Sequence, residues 1–350
     1  MPRKLTLNSF SLNNSVLTEE NKISVIMPVK DTAKYLRTCL DSIIDQTYTN
    51  WELLAVDDRS SDSSLSILKE YAQKDDRISA ISNPEPSLLN ALRLGYSHSS
   101  GALIHRMDSD DYMPHEKLRR MIEKSKKGVL VTGATEYFSD EAPIGDGFRR
   151  YDKWLMEIAE VQSYREEMYK ECVIPSNCWL IHREDFDRVK GFQLDTFPED
   201  YDLCFRFLDA GLNIVGIPEV LHNWRDRSDR ISRNWDAYKD NRFFNLKIVY
   251  FYRISRDSKR PLVLWGAGKN GKDLAKLILL NENNFHWICD NAKKIGKDIY
   301  DIRMHHFDHL LKLDNPQLII AVASPDGQIE IQQILDKLNL KKGVDYWFFA

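Results

Sequence analysis

Two apolar runs, ISVIMPV at 23–29 and WELLAVDD at 51–58, bracket a stretch in which Tyr35, Leu36, Cys39, Leu40, Ile43 and Ile44 recur at helical spacing. β-Branched runs on either side of a 3.6-residue period read as strand, helix, strand. Strands joined through a helix run parallel and need cover on both faces. The alternation continues: a helix is predicted from Ser63, with Leu65, Leu68 and Tyr71 on one face and Asp62 or Ser61 as N-cap, followed by strands in RISAIS and ALIHRM. An α/β fold is therefore expected, with a mainly parallel sheet and helices on both faces. Ligands of such sheets bind beyond the carboxyl ends of the strands, where Lys30, Asp57, Asp58, Asp108 and Asp110 would all stand.

The window RMDSDD, 106–111, places Asp108, Asp110 and Asp111 directly after the apolar run 102–104. Two carboxylates about 4 Å apart repel by roughly 4 kcal/mol at an effective dielectric near 20, so something positive is expected between them. Aspartate oxygens are hard donors, suited to Mg2+ or Mn2+ rather than zinc. The alternative is an acidic, solvated turn with Asp111 as N-cap of a helix around 114–121.

With 350 residues, 43% of them hydrophobic, the chain can bury a sizeable core and is expected to divide into two domains. A formal charge of −4 gives no general attraction to nucleic acid, although basic residues gather between Arg225 and Arg233. No apolar run approaches the roughly 18–20 residues of a membrane span, which leaves peripheral association open, and the first twenty residues lack the apolar centre of a signal peptide. The five cysteines are odd in number and form no close C-x-x-C pair, so reduced thiols and a cytoplasmic location are expected.

Three stretches, ISVIMPVKDTAKYLRTCLDSIIDQTYTNWELLAVDDRSSDSS, LLNALRLGYSHSSGALIHRMDSDD and PEDYDLCFRFLDAG, together resemble a family-2 glycosyltransferase of the nucleotide-sugar-binding GT-A fold, over about residues 22–235. The resemblance implies inverting transfer of a sugar from a nucleotide diphosphate sugar, UDP by family precedent, to a saccharide or lipid-linked saccharide hydroxyl in surface polysaccharide or glycoconjugate synthesis. It makes Asp110 the direct metal ligand, with Asp108 on the ribose or a metal-bound water. Asp57 and Asp58 become base and ribose contacts, and Pro28, Lys30 and Arg93 belong to the donor pocket. A divalent ion would stabilise the charge that gathers on the departing diphosphate. The resemblance also makes Asp200 the base that takes the acceptor proton, with Glu199 beside it. Leu203, Phe207 and Leu208 fall at helical spacing after this pair, so both acids would sit at a helix N-terminus, worth about 0.3–1 kcal/mol to a negative charge; plain helix-start residues would stand there too. Trp224 and Arg225 match the segment that approaches the diphosphate. The stretch ECVIPSNCW with Tyr164, Tyr169 and Trp179 resembles the acceptor side.

Four positions depart from the family pattern. Arg59 replaces a common Gly, and Arg does not readily take positive φ. Lys30 and Asp31 stand where relatives read Tyr-Asn. Arg227 replaces a His; it cannot ligate a metal but can bind phosphate, which rests coordination more heavily on Asp110.

After about Tyr238 the character changes, and SKRP at 258–261 precedes a fresh strand, LVLWG. WGAGKNGKDLAKLI carries a complete G-x-G-x-x-G at Gly266, Gly268 and Gly271, with Asp290 at the end of the strand FHWICD. Such a loop could bring a nucleotide's pyrophosphate to a helix N-terminus. The ninety residues 261–350 leave room for about four strands, and the region also resembles small Rossmann-like domains that accompany sugar-processing enzymes, with a structural or assembly role as the other reading. HHFDH at 305–309 has no matching Cys or His set and is expected at a helix start on the surface. The expected organisation is a flexible tail over 1–21, a GT-A domain over 22–237, a helical linker over 238–260 and a Rossmann-like domain over 261–350. Two other functions compete: a nicotinamide-dependent nucleotide-sugar oxidoreductase, resting on the glycine loop without a Tyr-x-x-x-Lys pair, and a catalytically silent sugar-binding or scaffold protein, which Arg59 and Arg227 keep open.

Overall fold

The first strand, β1 (Ile23–Val29), alternates its side chains between two cores: Val25, Met27 and Val29 face one, and Ile26 faces the other. A computed structural model describes this and everything else in residues 21–228 and 243–350; the tail over 1–20, the start of the linker and the basic residues beyond Ser228 lie outside the described residues. Helix α1 (Ala33–Ile44) lays Leu36, Cys39, Leu40 and Ile43 onto the first core, where each fully buried leucine contributes about 1.5–3 kcal/mol. β2 (Trp51–Asp57), α2 (Ser64–Ala72), β3 (Ile78–Ser82), α3 (Leu88–His98) and β4 (Leu103–Arg106) follow in the expected alternation. Ser63 holds the N-cap position of α2, but Asp62 supplies the bonds: its carboxylate accepts from Ser64 N at 2.9 Å and, across the sheet edge, from Ala33 N at 2.9 Å.

The chain then adds α4 (Lys117–Ile122), β5 (Val129–Phe138), α5 (Asp146–Val161), α6 (Tyr164–Glu167), β6 (Trp179–His182), α7 (Arg183–Arg188), α8 (Glu199–Asp209) and β7 (Asn213–Arg225). The seven strands run in the order β3-β2-β1-β4-β6-β5-β7, parallel except for β6, which is antiparallel to both neighbours. Val29 is in register with Asp57, and Met107 N donates to Ile26 O, so β1, β2 and β4 end on one edge. Lys30, Asp57 and the turn 107–111 all leave the sheet there.

A second sheet contains β8 (Leu262–Trp265), β9 (His286–Cys289), β10 (Asp298–Ile299), β11 (Ile302–His306), β12 (Gln317–Ile320) and β13 (Tyr346–Phe348), in the order β10-β11-β9-β8-β12-β13, and only the β10–β11 pair is antiparallel. Six strands form where the length suggested about four, because β10 and β13 span 2 and 3 residues and are too short to read as apolar runs. Gly271 allows the helix Lys269–Leu279 to press onto the strand end, since a Cβ there would sit 2.0 Å from Gly266 O.

The two sheets share one hydrophobic cluster. Tyr169, 0% exposed, stacks on Phe349 with ring centroids 4.9 Å apart and lies edge-on to Trp347. Lys247, on the helix Phe244–Tyr250, donates from its buried ammonium to Lys170 O at 2.9 Å and Phe349 O at 3.2 Å. From there an aromatic ladder runs to α8: Tyr250 stacks on Phe205 at 4.7 Å and Phe205 on Tyr201 at 4.6 Å. Truncating a ring in such a stack leaves a cavity, so Phe349→Ala is expected to cost about 3–5 kcal/mol in urea unfolding and to lower the transition of the first sheet as well as the second. A loss below about 1 kcal/mol would contradict this joint.

Candidate active site

The edge shared by β1, β2 and β4 concentrates carboxylates, and each is held by specific partners. Asp57 is 3% exposed; its Oδ2 accepts from Ser60 N at 3.3 Å, while Oδ1 is buried without a hydrogen-bond partner among the described residues. Such an orphan acceptor carries a desolvation cost of about 1–3 kcal/mol. Asp58 accepts through Oδ1 from Asn83 Nδ2 at 2.6 Å and Ser87 N at 2.9 Å, which ties β2 to the start of α3. Pro28 lies in β1 opposite Val56. Arg59 adopts φ +58°, in the left-handed region that favours glycine. The left-handed region costs a non-glycine residue about 1–2 kcal/mol. Lys30 offsets this by donating from Nζ to Asp58 O at 2.8 Å and Arg59 O at 2.6 Å, and the Arg59 guanidinium is anchored on Pro84 O. The substitutions at 30 and 59 are thus two halves of one loop.

The turn after β4 uses its three aspartates differently. Asp111, 1% exposed, is a structural knot: Oδ2 accepts from His222 Nε2 at 2.9 Å and Asn177 Nδ2 at 2.9 Å, and Oδ1 from Arg225 N at 2.7 Å. Lys117 Nζ donates to His222 Nδ1 at 2.9 Å and Asn177 O at 2.8 Å, so the histidine is neutral at Nδ1 and carries its proton on Nε2. Burial pushes the Lys117 ammonium down to about 8. Helix α4 starts instead from Glu116, so Asp111 caps no helix. Asp108 Oδ1 accepts from Arg106 at 3.3 Å and Oδ2 from Asn177 at 3.3 Å. Asp110 Oδ2 accepts from Arg227 Nε at 2.9 Å, and its carbonyl accepts from Arg225 Nε at 2.7 Å. Arg225 also pairs with Asp140, its guanidinium 4.4 Å from the ring centres of Tyr35 and Phe138. Trp224 stacks on Tyr137 at 4.9 Å.

Across the cleft, α8 begins at Glu199, as its helical spacing suggests. Glu199 Oε1 accepts from Arg106 at 3.4 Å, and Asp200 Oδ1 from Tyr201 N at 2.8 Å. Asp200 lines a small cavity with Arg106, Ser176 and the apolar side chains of Ile174, Trp179, Leu203, Cys204 and Phe207. Desolvation by these walls, with the Glu199 charge added, pushes the Asp200 carboxyl up to about 7 against the opposing pull of Arg106. The structure therefore brings Asp108 and Glu199 onto one guanidinium, with Asp200 beside them. Arg93 instead turns to the loop 192–195, donating to Phe192 O at 2.8 Å, Gln193 O at 3.1 Å and Asp195.

Sequence reasoning passed over Arg106, Lys117, Asn177 and Asp140. A signal existed for the first: a buried strand that ends on arginine needs a buried counter-charge. The others depend on partners 60 or more positions away in the chain.

No group of three His, Cys, Asp or Glu side chains is arranged to hold a metal among the described residues. The donor chemistry of Asp108 and Asp110 nevertheless fits a hard divalent ion, with phosphate oxygens and water completing its shell. In the second sheet, Gly266 takes φ +130° and Gly268 opens the helix Lys269–Leu279 with unobstructed space beside it, while Lys294 Nζ donates to Ala267 O and Asp290 is exposed. His305, His309 and His286 cluster at β9 and β11, with His305 and His309 stacked 4.1 Å apart.

A mainly parallel sheet with acids at its carboxyl edge and a carboxylate pair at the start of α8 is the arrangement that the resemblance to GT-A glycosyltransferases implies. The Glycosyl transferase family 2 profile matches residues 24–190. An uncharacterized glycosyltransferase of Haemophilus influenzae is 30% identical over 294 residues, 81% of this chain and 85% of that protein. The chain belongs to glycosyl transferase family 2. Glycosyltransferase GlyA of Streptococcus pneumoniae is 28% identical over 226 residues, which cover 62% of this chain but 32% of GlyA. Staphylococcus aureus TarS 1–349, solved in complex with UDP-GlcNAc, shares the fold with a TM-score of 0.53 at 15% identity, covering 73% of this chain and 71% of that one. No helix among the described residues is long and apolar enough to cross a membrane.

Removing a buried carboxylate strands its donors, here His222 Nε2, Asn177 Nδ2 and Arg225 N, at a cost of at least about 1–3 kcal/mol. Asp111→Ala is therefore expected to destabilise the chain by about that amount in chemical denaturation, and to do so more than Asp110→Ala, whose carboxylate stands nearer solvent. Equal effects would contradict the division of labour within this turn.

Proposed function

We propose that this chain is an inverting transferase that moves a sugar from a UDP-sugar to a hydroxyl of a saccharide acceptor, in polysaccharide or glycoconjugate synthesis. The observation that carries the reading is the convergence of Asp108, Glu199 and Asp200 around Arg106 on the edge that also holds the orphan Oδ1 of Asp57. An N–H of uracil or an O–H of ribose would satisfy that oxygen. Lys30, Asp58 and Arg59 shape the loop beside it.

Asp200 takes the proton of the acceptor hydroxyl as that oxygen bonds to the anomeric carbon; the bond from that carbon to the phosphate oxygen breaks and its electron pair leaves with the diphosphate. A group raised to about 7 is well matched to this task. Asp110 and Asp108 would hold Mn2+ or Mg2+, and such an ion when bound supplies positive charge to the departing diphosphate. Asp110 would take the ion in exchange for Arg227, which is then available to phosphate oxygens.

Three outcomes test the reading. Asp200→Asn should leave the donor dissociation constant within about threefold and lower kcat by at least about a hundredfold, because general bases contribute roughly 10²–10⁴; donor affinity falling in parallel with rate would overturn the assignment. Asp200 is protonated below its raised pKa and is a base only above it. So kcat/KM should climb tenfold per pH unit below about 7 and level off above. Arg227→Ala should tighten Mn2+ binding, read by electron paramagnetic resonance of free Mn2+, while weakening UDP; weaker Mn2+ binding would contradict the exchange.

A further inference from the structure

Arg106 closes β4 with 6% exposure and a permanent charge. Nothing in an α/β sheet requires a cation at a buried strand end. Its guanidinium lies 3.3 Å from Asp108 Oδ1 and 3.4 Å from Glu199 Oε1, and it shares the walls of the small cavity with Asp200. The two contacts come from opposite sides of the cleft, one from the donor-side turn and one from the amino end of α8. A single rigid fork thus fixes the distance between donor and base.

We propose that Arg106 is a positioning residue for sugar transfer, holding the start of α8 against β4 and supplying the cationic charge that keeps the Asp200 carboxylate available near neutral pH. This rests on Asp200 being the base. Among the described residues, the charged and titratable groups that face Asp200 are Glu199 and Cys204 on its own helix, Arg106 at the end of β4 and Asp108 just beyond it, Tyr151 of α5 and Cys172 in the segment before β6. Arg106 is the cation among them. Without it, three carboxylates would share a partly dry cleft, and the least solvated of them would keep its proton.

The test uses the full chain with Arg106→Met, Arg106→Lys, Glu199→Gln and Asp200→Asn. Two readouts are followed: the pH profile of kcat/KM for sugar transfer, and the 13C titration of the Asp200 carboxyl, identified by its loss in Asp200→Asn. Arg106→Met should move both midpoints upward by about one pH unit or more, and Arg106→Lys should hold them within about half a unit of the parent. Glu199→Gln should move them downward. These opposite signs separate a charge effect from general damage. If Arg106→Met does not fold, as judged by circular dichroism, the downward shift of Glu199→Gln together with an unmoved Arg106→Lys decides in favour. Midpoints in folded Arg106→Met or in Glu199→Gln that coincide with the parent overturn the proposal. So does an equal loss of rate at every pH in both arginine variants. Should Asp200→Asn keep full activity, the base assignment fails on its own evidence, because the carboxyl titration still reports what Arg106 does.

Discussion

Like charges crowded at the end of a parallel sheet set the terms for this molecule. Parallel strands deliver their carboxyl ends to one edge, and this chain puts Asp57, Asp58, Asp108, Asp110 and Asp111 there, facing Glu199 and Asp200. Left alone, such a group would repel itself or take up protons. Three arginines prevent this at fixed places: Arg106 between Asp108 and Glu199, Arg225 behind the turn, and Arg227 on Asp110. Asp111 is given up entirely to the fold, its oxygens satisfied by His222, Asn177 and the Arg225 amide, with Lys117 behind them. What remains for ligands is the carboxylate set with the least internal satisfaction, above all Asp57 Oδ1.

The second sheet has a mechanical relation to this site that its glycine loop does not suggest. Its last strand ends against Tyr169, and from Tyr169 and Tyr250 the ring stack reaches Phe205 and Tyr201, the residue after Asp200. Lys247 and Tyr250 add polar ties, the latter donating to Asp202 Oδ1 at 2.8 Å. The helix that presents Asp200 is therefore packed between two sheets. This gives the C-terminal region a structural part in the enzyme whether or not a nucleotide visits Gly266 and Gly268.

Much of the fold was legible because its signals are local. The strands Ile23–Val29 and Trp51–Asp57, the helix Ala33–Ile44 and the start of α8 at Glu199 follow from apolar spacing alone. Short strands such as Asp298–Ile299 carry too few residues for a pattern. The candidate site was legible in its acids and in Lys30, Arg225 and Arg227, but not in Arg106, Lys117 and Asn177. Acids cluster in sequence within DSDD and PED, whereas Lys117 and Asn177 meet their partners, and Arg106 reaches Glu199, only through the fold. Arg59 looked like an obstacle to its loop; it takes the left-handed conformation because Lys30, also a departure from the family pattern, reaches over to hold its carbonyl. Two unfavourable choices read one at a time are compatible when read together.

The proposed function requires that the acidic edge of the first sheet grip a divalent ion together with a nucleotide diphosphate. Crystals grown with UDP and Mn2+, with data collected at the manganese absorption edge, test it directly. One strong anomalous peak is expected within bonding distance of Asp110, beside the diphosphate, with the uracil or ribose against Asp57. A diphosphate bound elsewhere, or a manganese peak remote from Asp108 and Asp110, would contradict it.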